Sequence, residues 1–258
     1  MRRILFFLLV LANSIIAFAQ STSDDLPKDL QIKLNILNGK KALSMSKYDD
    51  ALSFFTKAFE LGDKHEASFQ LGRLYVYGKG VKTDYKKAAY YYSVAAENEH
   101  AESQCMYATM CHMGIGIQQD DNEAFKWYSK SANQGNDEAK YCLGMAYYNG
   151  EGTTKNLKMA VKWYTEAAKH GHVHAQNNLG QCLIKGEGVF QNIEEGLKWV
   201  TESANNGNAD AQCSLGSYYE YGAYGIKKDV NQAIFWYKKA AAQGVSYAQI
   251  HLAQLGEK

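Results

Sequence analysis

Three histidines stand at alternate positions past the middle of the chain, at His170, His172 and His174. Imidazole nitrogen is a common zinc ligand, and a structural zinc site needs four ligands that converge in tetrahedral geometry. The three residues straddle a turn at Gly171, so their rings need not point to one place, and no neighbouring carboxylate completes the set. We interpret them as exposed turn histidines, and the sequence predicts no metal site and no cofactor.

Two other kinds of chemistry are equally poorly supported. Ser214 and Ser217 lie near a glycine but outside the strained elbow that exposes a hydrolase serine. Glycine pairs such as Gly78 and Gly80 recur between two helical segments and not after a strand, as a phosphate-binding loop requires. With 28 basic and 27 acidic residues, the chain also lacks the basic excess that binds nucleic acid.

The chain segments that carry these residues repeat with a period of 36 residues. Each repeat is marked by a Leu-Gly or related pair. It occurs at Leu71-Gly72, Tyr107-Ala108, Leu143-Gly144, Leu179-Gly180 and Leu215-Gly216, and at Leu252-Ala253 after 37 residues. A fixed period of this length is typical of repeat architectures.

Each period predicts two helices. Apolar or small residues at Ala139, Leu143, Gly144 and Tyr147 mark one face of a first helix, which Gly150 ends. The second helix has an N-cap column consisting of Asp84, Asp120, Asn156, Asn192 and Asp229. The residues three positions later predict capping boxes at Glu123, Glu195 and Gln232.

The second helices carry three further columns. Small residues allow close helix approach at Ala58, Ala95, Ser131, Ala167, Ser203 and Ala240. Aromatic residues, predicted to fill the space between layers, stand at Phe54, Tyr91, Trp127, Trp163, Trp199 and Trp236. The closing residues are Gly62, Gly135, Gly171, Gly207 and Gly244, with Glu99 as the exception. Because one helix pair cannot bury its apolar face alone, neighbouring pairs are expected to stack.

The predicted fold class is therefore all-α, an α/α superhelical solenoid of about six helix-turn-helix repeats. Residues 1–19 form a signal peptide and residues 20–30 a short linker. The first repeat covers residues 31–66, five more cover 67–247, and a capping helix covers 248–258.

One segment carries a family resemblance. Residues 143–171, LGMAYYNGEGTTKNLKMAVKWYTEAAKHG, resemble the SEL-one-like (Sel1-like) repeat, a relative of the tetratricopeptide repeat with the pattern LGxxYxxGxGVxxDxxKAxxWYxKAAxxG. The resemblance covers roughly residues 67–258, and the first pair, around residues 47–52, is more similar to an ordinary tetratricopeptide unit. It implies a superhelical adaptor whose first helices line a concave groove, without implying a particular partner.

The cysteines are Cys105, Cys111, Cys142, Cys182 and Cys213, all in predicted first helices. Some exported bacterial relatives join the two helices of a repeat by a disulfide, but the second helices here hold no cysteine. A bridge between neighbouring repeats stays open for all except Cys111, which shares a column with Tyr75 and Tyr147 and is predicted to be a plain core residue. The odd count leaves at least one thiol unpaired unless a bridge is intermolecular.

The groove positions lie two residues before the repeat leucine, and two and five after it. They are predicted to bind the partner at Phe69, Arg73, Thr109, His112, Tyr141, Met145, Tyr148, Asn177, Gln181 and Ser217. Tyr141, Met145 and Tyr148 suit an anchor pocket, because tyrosine offers rigid area and methionine adapts its shape. Asn177 and Gln181 are expected to bond the backbone of an extended peptide. The alternative is that the tyrosines only shield the groove floor.

These observations predict a non-enzymatic protein–protein interaction scaffold of the cell envelope or secretory space, with a protein or peptide partner. The alternative is a hydrolase or binder of β-lactam or peptidoglycan-type substrates, because exported relatives of this repeat class have been linked to them. The sequence does not indicate the partner's identity or the oligomeric state.

The N-terminus has the features of a cleaved export signal. Arg2 and Arg3 precede an almost wholly apolar stretch over residues 4–16, and Ala17-Phe18-Ala19 supplies the small residues that signal peptidase needs. The alternative, an uncleaved membrane anchor, is disfavoured because the run is shorter than the ~20 residues that span a bilayer. The protein is predicted to reach the periplasm or the extracellular space without membrane insertion.

Cleavage after Ala19 predicts that the exported protein begins at Gln20. Intact-mass analysis of the mature pool is expected to show a chain that lacks residues 1–19. A mature pool that retains those residues would contradict the prediction.

Overall fold

A computed structural model describes residues 26–257, so the predicted signal peptide and most of the linker lie outside the described residues. Of the described residues, 74% are helical. The described residues contain thirteen α-helices and no strand. Among them, no helix combines the length and apolar character that crossing a membrane requires.

The first of two compact units ends at Gln119 and holds five helices. They are α1 (Lys28–Ser44), α2 (Tyr48–Glu60), α3 (Glu66–Tyr77), α4 (Tyr85–Glu97) and α5 (Ala101–Met113). Helix α1 begins inside the stretch predicted as a linker. Within this unit, consecutive helices pack against each other as antiparallel neighbours joined by short turns.

The second unit begins at Asp120 and holds eight α-helices. They are α6 (Asp121–Asn133), α7 (Asp137–Asn149), α8 (Leu157–Lys169), α9 (Val173–Lys185), α10 (Ile193–Asn205), α11 (Ala209–Tyr221), α12 (Val230–Ala242) and α13 (Ser246–Gln254). A single 3-10 turn at Ala223–Gly225 accommodates the extra residue of the last repeat. Consecutive helices again pack on each other.

The predicted N-cap column starts the second helices. At α4, the Asp84 carboxylate accepts a hydrogen bond from the backbone N–H three residues later, and its own N–H donates to the Tyr75 carbonyl at 3.1 Å. The same pair of bonds occurs at Asn156, Asn192 and Asp229. Glu123 does not make the reciprocal hydrogen bond of a capping box. Its carboxylate instead accepts a hydrogen bond from Trp127 Nε1 at 2.6 Å.

The tightest approach within a helix pair lies at the glycine of the Leu-Gly pair. A Cβ on Gly72 would lie 2.7 Å from the ring of Tyr92, and one on Gly144 would lie 2.6 Å from the ring of Tyr164. Gly39 faces Phe55, and Gly216 faces Tyr237, in the same way. These rings are almost completely buried. The absent side chain therefore sets the distance between the paired helices.

The rings that face the helix glycines stand one residue after the predicted aromatic column, although Trp127 and Trp236 of that column are buried. Trp163 is only partly buried, whereas Tyr164 is 1% exposed. The prediction was wrong about Trp163 because two aromatic residues stand side by side, about 100° apart around the helix, and only the second faces the glycine. Trp163 Nε1 has no acceptor among the described residues, since Met159 occupies the place that Glu123 takes beside Trp127.

We expect Gly144→Ala to lower the free energy of unfolding by about 1–3 kcal/mol through overpacking. Helix propensity alone favours alanine by about 1 kcal/mol, so the sign of the change separates the two effects. In a Tyr164→Ala background the ring atoms that the new Cβ would meet are removed, and the next neighbour, the Ala160 carbonyl oxygen, lies 3.4 Å away, so the cost should vanish. Urea unfolding of the wild type, the two single variants and the double variant measures the coupling, and additive changes would contradict the contact.

Candidate functional site

A pocket of about 280 Å³ opens in the second unit between α7 and α9, the first helices of neighbouring repeats. We call it the Tyr148 pocket. It is lined by Met145, Tyr148, Asn149, Tyr164, Asn178, Gln181, Cys182, Lys185 and Glu187. Because Tyr164 reaches it from α8 through the gap that Gly144 leaves, the floor depends on the helix contact described above.

The floor of the Tyr148 pocket is held by hydrogen bonds to sulfur. Tyr164 OH lies 3.2 Å from Met145 Sδ, and Asn178 Nδ2 donates to the same sulfur at 3.4 Å. Burial raises the pKa of Tyr164 far above its usual value, so the phenol stays a donor. The thioether is thereby fixed between two helices and presents an apolar surface to the opening.

The rim is polar. Tyr148 OH donates to Glu187 Oε2 at 2.8 Å, and this bond raises the pKa of Tyr148 to about 12. Glu187 occupies the middle of a Gly-x-Gly turn whose glycines, Gly186 and Gly188, both have positive φ. A Cβ on Gly188 would overlap the carbonyl of Leu157, so the turn is pressed against the start of α8. The backbone of this turn therefore fixes the position of Glu187.

Three predicted groove residues, Met145, Tyr148 and Gln181, lie together in this pocket. Gln181 is already engaged, because its Nε2 donates to Ser214 and its Oε1 accepts from Tyr218 OH at 3.0 Å. Gln181 therefore has one side-chain N–H and one oxygen lone pair left to form hydrogen bonds with a peptide backbone.

The other predicted residues of the second unit lie elsewhere. Tyr141 stacks on His172, with ring centroids 4.7 Å apart, and so packs on the start of α9. Asn177 is 9% exposed, and its Oδ1 has no hydrogen-bond partner among the described residues. Ser217 is partly buried on α11.

In the first unit, the predicted positions have different surroundings. Phe69 is buried and stacks on His100 at 4.3 Å, and Thr109 Oγ1 donates to the Cys105 carbonyl at 3.0 Å. His112 is partly exposed. Arg73 is exposed and lines a second pocket.

Asn178, Lys185 and Glu187 line the Tyr148 pocket but were missed. The prediction sampled only the positions −2, +2 and +5 around the leucine, while these residues stand at −1, +6 and +8. The middle residue of the Gly-x-Gly turn was interpreted only as a connector. Its changing identity between repeats was the signal that could have revealed it.

Of the three histidines, His172 is a helix cap, and with its side chain only 12% exposed it is not the exposed turn residue that was predicted. His172 Nδ1 accepts a hydrogen bond from the Ala175 N–H at 3.2 Å, which starts α9. The neutral ring then carries its proton on Nε2, which lies 3.1 Å from Glu138 Oε2, and this bond lowers the pKa of Glu138. Asn136 and Asn208 cap their helices in the same column. The expectation that no carboxylate stands nearby was wrong, because α7 supplies Glu138.

The three rings do not converge. His170 Nδ1 bonds Asp137 Oδ1 at 2.7 Å, whereas His174 Nδ1 accepts from Asn208 Nδ2 at 2.8 Å on a different helix. The Nδ1 atoms of the three rings therefore bond to three different partners.

Within residues 26–257, one trio has potential ligand atoms within 4.8 Å of one another, namely His65, Glu66 and His100. His100 Nδ1 accepts from the Ser103 N–H at 3.1 Å, so in the neutral ring Nε2 carries the proton and offers no lone pair. Glu66 is paired with Lys40 at 2.9 Å. In this group, His100 therefore acts as a helix cap and Glu66 as a member of an ion pair.

None of the five cysteines forms a disulfide. Burial raises the pKa of Cys142 to about 12 and the pKa of Cys182 and Cys213 to about 11. Since the thiolate is the nucleophile, these thiols are unreactive at neutral pH. Cys111 is buried, as predicted for a core residue.

The comparisons with known proteins identify the repeat. The Sel1 repeat model matches residues 65–100, 101–136, 137–172, 173–208 and 209–245. The chain belongs to the Sel1 repeat family. The match confirms the predicted resemblance, and it begins at residue 65, after the first helix pair.

Solved structures agree with this assignment. The Sel1 repeat protein from Oxalobacter formigenes is 32% identical, with a TM-score of 0.77 over 85% of this chain and 89% of that one. The protective antigen c5321 of uropathogenic Escherichia coli, which has an SLR fold, is 30% identical with a TM-score of 0.74. That match covers 89% of this chain, which spans about half the antigen's length, 51%.

A more distant structure supports the fold alone. Pseudomonas aeruginosa pilF is 14% identical, with a TM-score of 0.64 over 88% of this chain and 99% of that one. The search of curated proteins gave no match. The solenoid fold class predicted from the repeats is confirmed, and Sel1 repeats are generally protein-interaction scaffolds.

The histidine cap of α5 predicts a pH-dependent stability. Burial lowers the pKa of His100 below the value of about 6.5 in an unfolded chain. The stability that the neutral His100 cap contributes is therefore present above about pH 6.5, and it is lost as the pH falls through the lower folded-state pKa. We expect His100→Asn to keep the cap and to reduce the stability lost between pH 7.5 and 5.5 by about 1 kcal/mol, the usual worth of an N-cap.

Urea unfolding at the two pH values measures this loss. Asn136→Ala, which removes a cap of the same column that has no titratable group, is the matched control and should lower the stability equally at the two pH values. An equal loss in wild type and His100→Asn would show that the cap does not titrate.

Proposed function

We propose that this Sel1-repeat protein is a non-enzymatic, exported scaffold that binds an extended segment of a protein partner through the Tyr148 pocket. The observation that carries the proposal is the pocket itself, an opening between the first helices of neighbouring repeats with an apolar interior and a polar rim. This combination suits one anchoring side chain and the backbone on either side of it.

The lining of the pocket suits an apolar side chain. Its volume of about 280 Å³ has room for one large side chain. Met145, Tyr148 and Cys182 offer a thioether, an aromatic face and a neutral thiol. An aliphatic or aromatic side chain of the partner gains most from these surfaces.

The rim offers contacts to the partner's backbone. The exposed Lys185 ammonium has no ion-pair partner among the described residues, and Asn149 is also exposed at the opening. Glu187 keeps one carboxylate oxygen beyond its bond to Tyr148. A donor and an acceptor on the same rim suit the alternating C=O and N–H groups of an extended chain.

The ionisation of the pocket residues favours binding over chemistry. With a pKa of about 12 for Tyr148 and about 11 for Cys182, both keep their protons at neutral pH. Neither group then acts as a base or nucleophile. Export to the periplasm or beyond forms part of the proposal and rests on residues 1–19.

The test begins with capture of the partner at the pocket. A photoreactive amino acid at Asn149, on the rim, is expected to crosslink a protein in the native envelope fraction, while the same probe at Phe190 does not. Phe190 is 96% exposed and lies outside the pocket, so it controls for chance encounters. The crosslinked partner is then purified.

We expect Tyr148→Ser to weaken the purified partner's affinity at least tenfold, since truncating an interface anchor costs roughly 2 kcal/mol or more. Phe190→Ser should change it less than twofold, and both variants should keep the helical spectrum. Unchanged affinity in Tyr148→Ser would refute the pocket. Turnover of a chromogenic β-lactam by the purified chain would instead favour the hydrolase.

A further inference from the structure

A second pocket, of about 330 Å³, lies in the first unit, and we call it the Arg73 pocket. Leu43 of α1 and Leu74 of α3 give it an apolar floor. Tyr48, the first residue of α2, and Tyr77, the last of α3, form its walls. Tyr77 is 64% exposed, so the wall it forms stands open to solvent.

Two cations face this pocket without a carboxylate. Lys79 Nζ lies 5.1 Å from the ring centroid of Tyr48 and 5.8 Å from that of Tyr77. Arg73 Cζ lies 5.5 Å from the ring of Phe69. Neither cation forms an ion pair within residues 26–257. The lining includes no acidic residue, so the pocket carries two positive charges that no lining carboxylate neutralises.

The backbone of the turn between Gly78 and Gly80 fixes the position of Lys79. Its N–H donates to the Leu74 carbonyl at 3.1 Å, and both flanking glycines have positive φ. A Cβ on Gly80 would lie 2.5 Å from the carbonyl carbon of Tyr48, so the turn is pressed against the start of α2. The bond with Ser46 and the Lys79 ammonium lower the pKa of Tyr48, consistent with a positive surface.

The Arg73 pocket and the Tyr148 pocket use the same repeat columns with different charges. Gln181 stands 108 residues, or three repeats, after Arg73, and Glu187 stands the same distance after Lys79. At these two positions the Arg73 pocket carries an arginine and a lysine, whereas the Tyr148 pocket carries a glutamine and a glutamate. The chemistry that each pocket accepts therefore differs, although the backbone that presents it is the same.

We propose that the Arg73 pocket binds a glutamate side chain of the protein partner. The carboxylate pairs with Arg73 and Lys79, and the methylene stem lies on Leu43 and Leu74. Arginine offers a planar pair of donors that matches a carboxylate, and the neighbouring ammonium adds a point charge. This inference rests on the proposed function, because it names the chemistry of one partner residue.

The test uses the capped amino acid N-acetyl-glutamate N-methylamide and isotope-labelled mature protein. We expect saturable NMR shifts at the Arg73 side-chain N–H and at the methyl groups of Leu43 and Leu74. The glutamine analogue should bind at least fivefold more weakly. Arg73→Gln and Lys79→Gln should each lower the affinity at least fivefold, whereas Arg73→Lys retains part of it.

Lys198→Gln is the control, since Lys198 is an exposed lysine of the second unit and should leave the response unchanged. Equal responses to the glutamate and glutamine probes, or to acetate at the same concentration, would overturn the proposal. Tyr148→Ser should also leave this response intact. A loss of partner binding in that variant alone thus tests the proposed function separately from the Arg73 pocket.

Discussion

The close contact between a helix glycine and a buried ring of the next helix is the constraint on which the repeat depends. Gly72 against Tyr92 and Gly144 against Tyr164 leave no room for a Cβ, so the pair has one spacing. Where Val200 replaces the ring, Gly196 also faces Gly180, and a Cβ on it would lie 2.7 Å from the Gly180 carbonyl oxygen. A smaller side chain is thus matched by a second glycine. Because these contacts secure the pair, residues on the open side of the first helix are released from packing.

Much of this architecture could be predicted from periodicity, because characteristic residue types recur at the helix ends. Asp84 and its equivalents cap where they were expected, and Glu99 keeps a positive φ of 66° in the column where glycine is usual. What periodicity could not decide was which of two adjacent aromatic residues faces the partner helix. Trp163 and Tyr164 differ by one position, and only the location of the facing glycine distinguishes them.

The candidate site was predicted less completely, for a similar reason. Met145 and Tyr148 were placed on one surface by their helical spacing, and they do share a pocket. Tyr141 has the same spacing, but His172, the cap of α9, stacks on its ring, and this contact depends on tertiary packing. His100 and His172 stand 72 residues apart, two periods, in the column of Asn136 and Asn208. Comparing that column would have identified them as caps.

The Gly-x-Gly turn explains how one repeat backbone presents different chemistry. Its glycines take the positive φ angles and the close contact with the preceding second helix, so the backbone of the turn does not depend on the residue between them. That residue is Lys79 in one repeat, Ile115 in the next, and then Glu151 and Glu187. Lys79 lines the Arg73 pocket and Glu187 lines the Tyr148 pocket, so one substitution reverses the charge at the same structural position. Because the backbone of the turn is nearly constant, the charge that each repeat presents at this position depends on that one side chain alone.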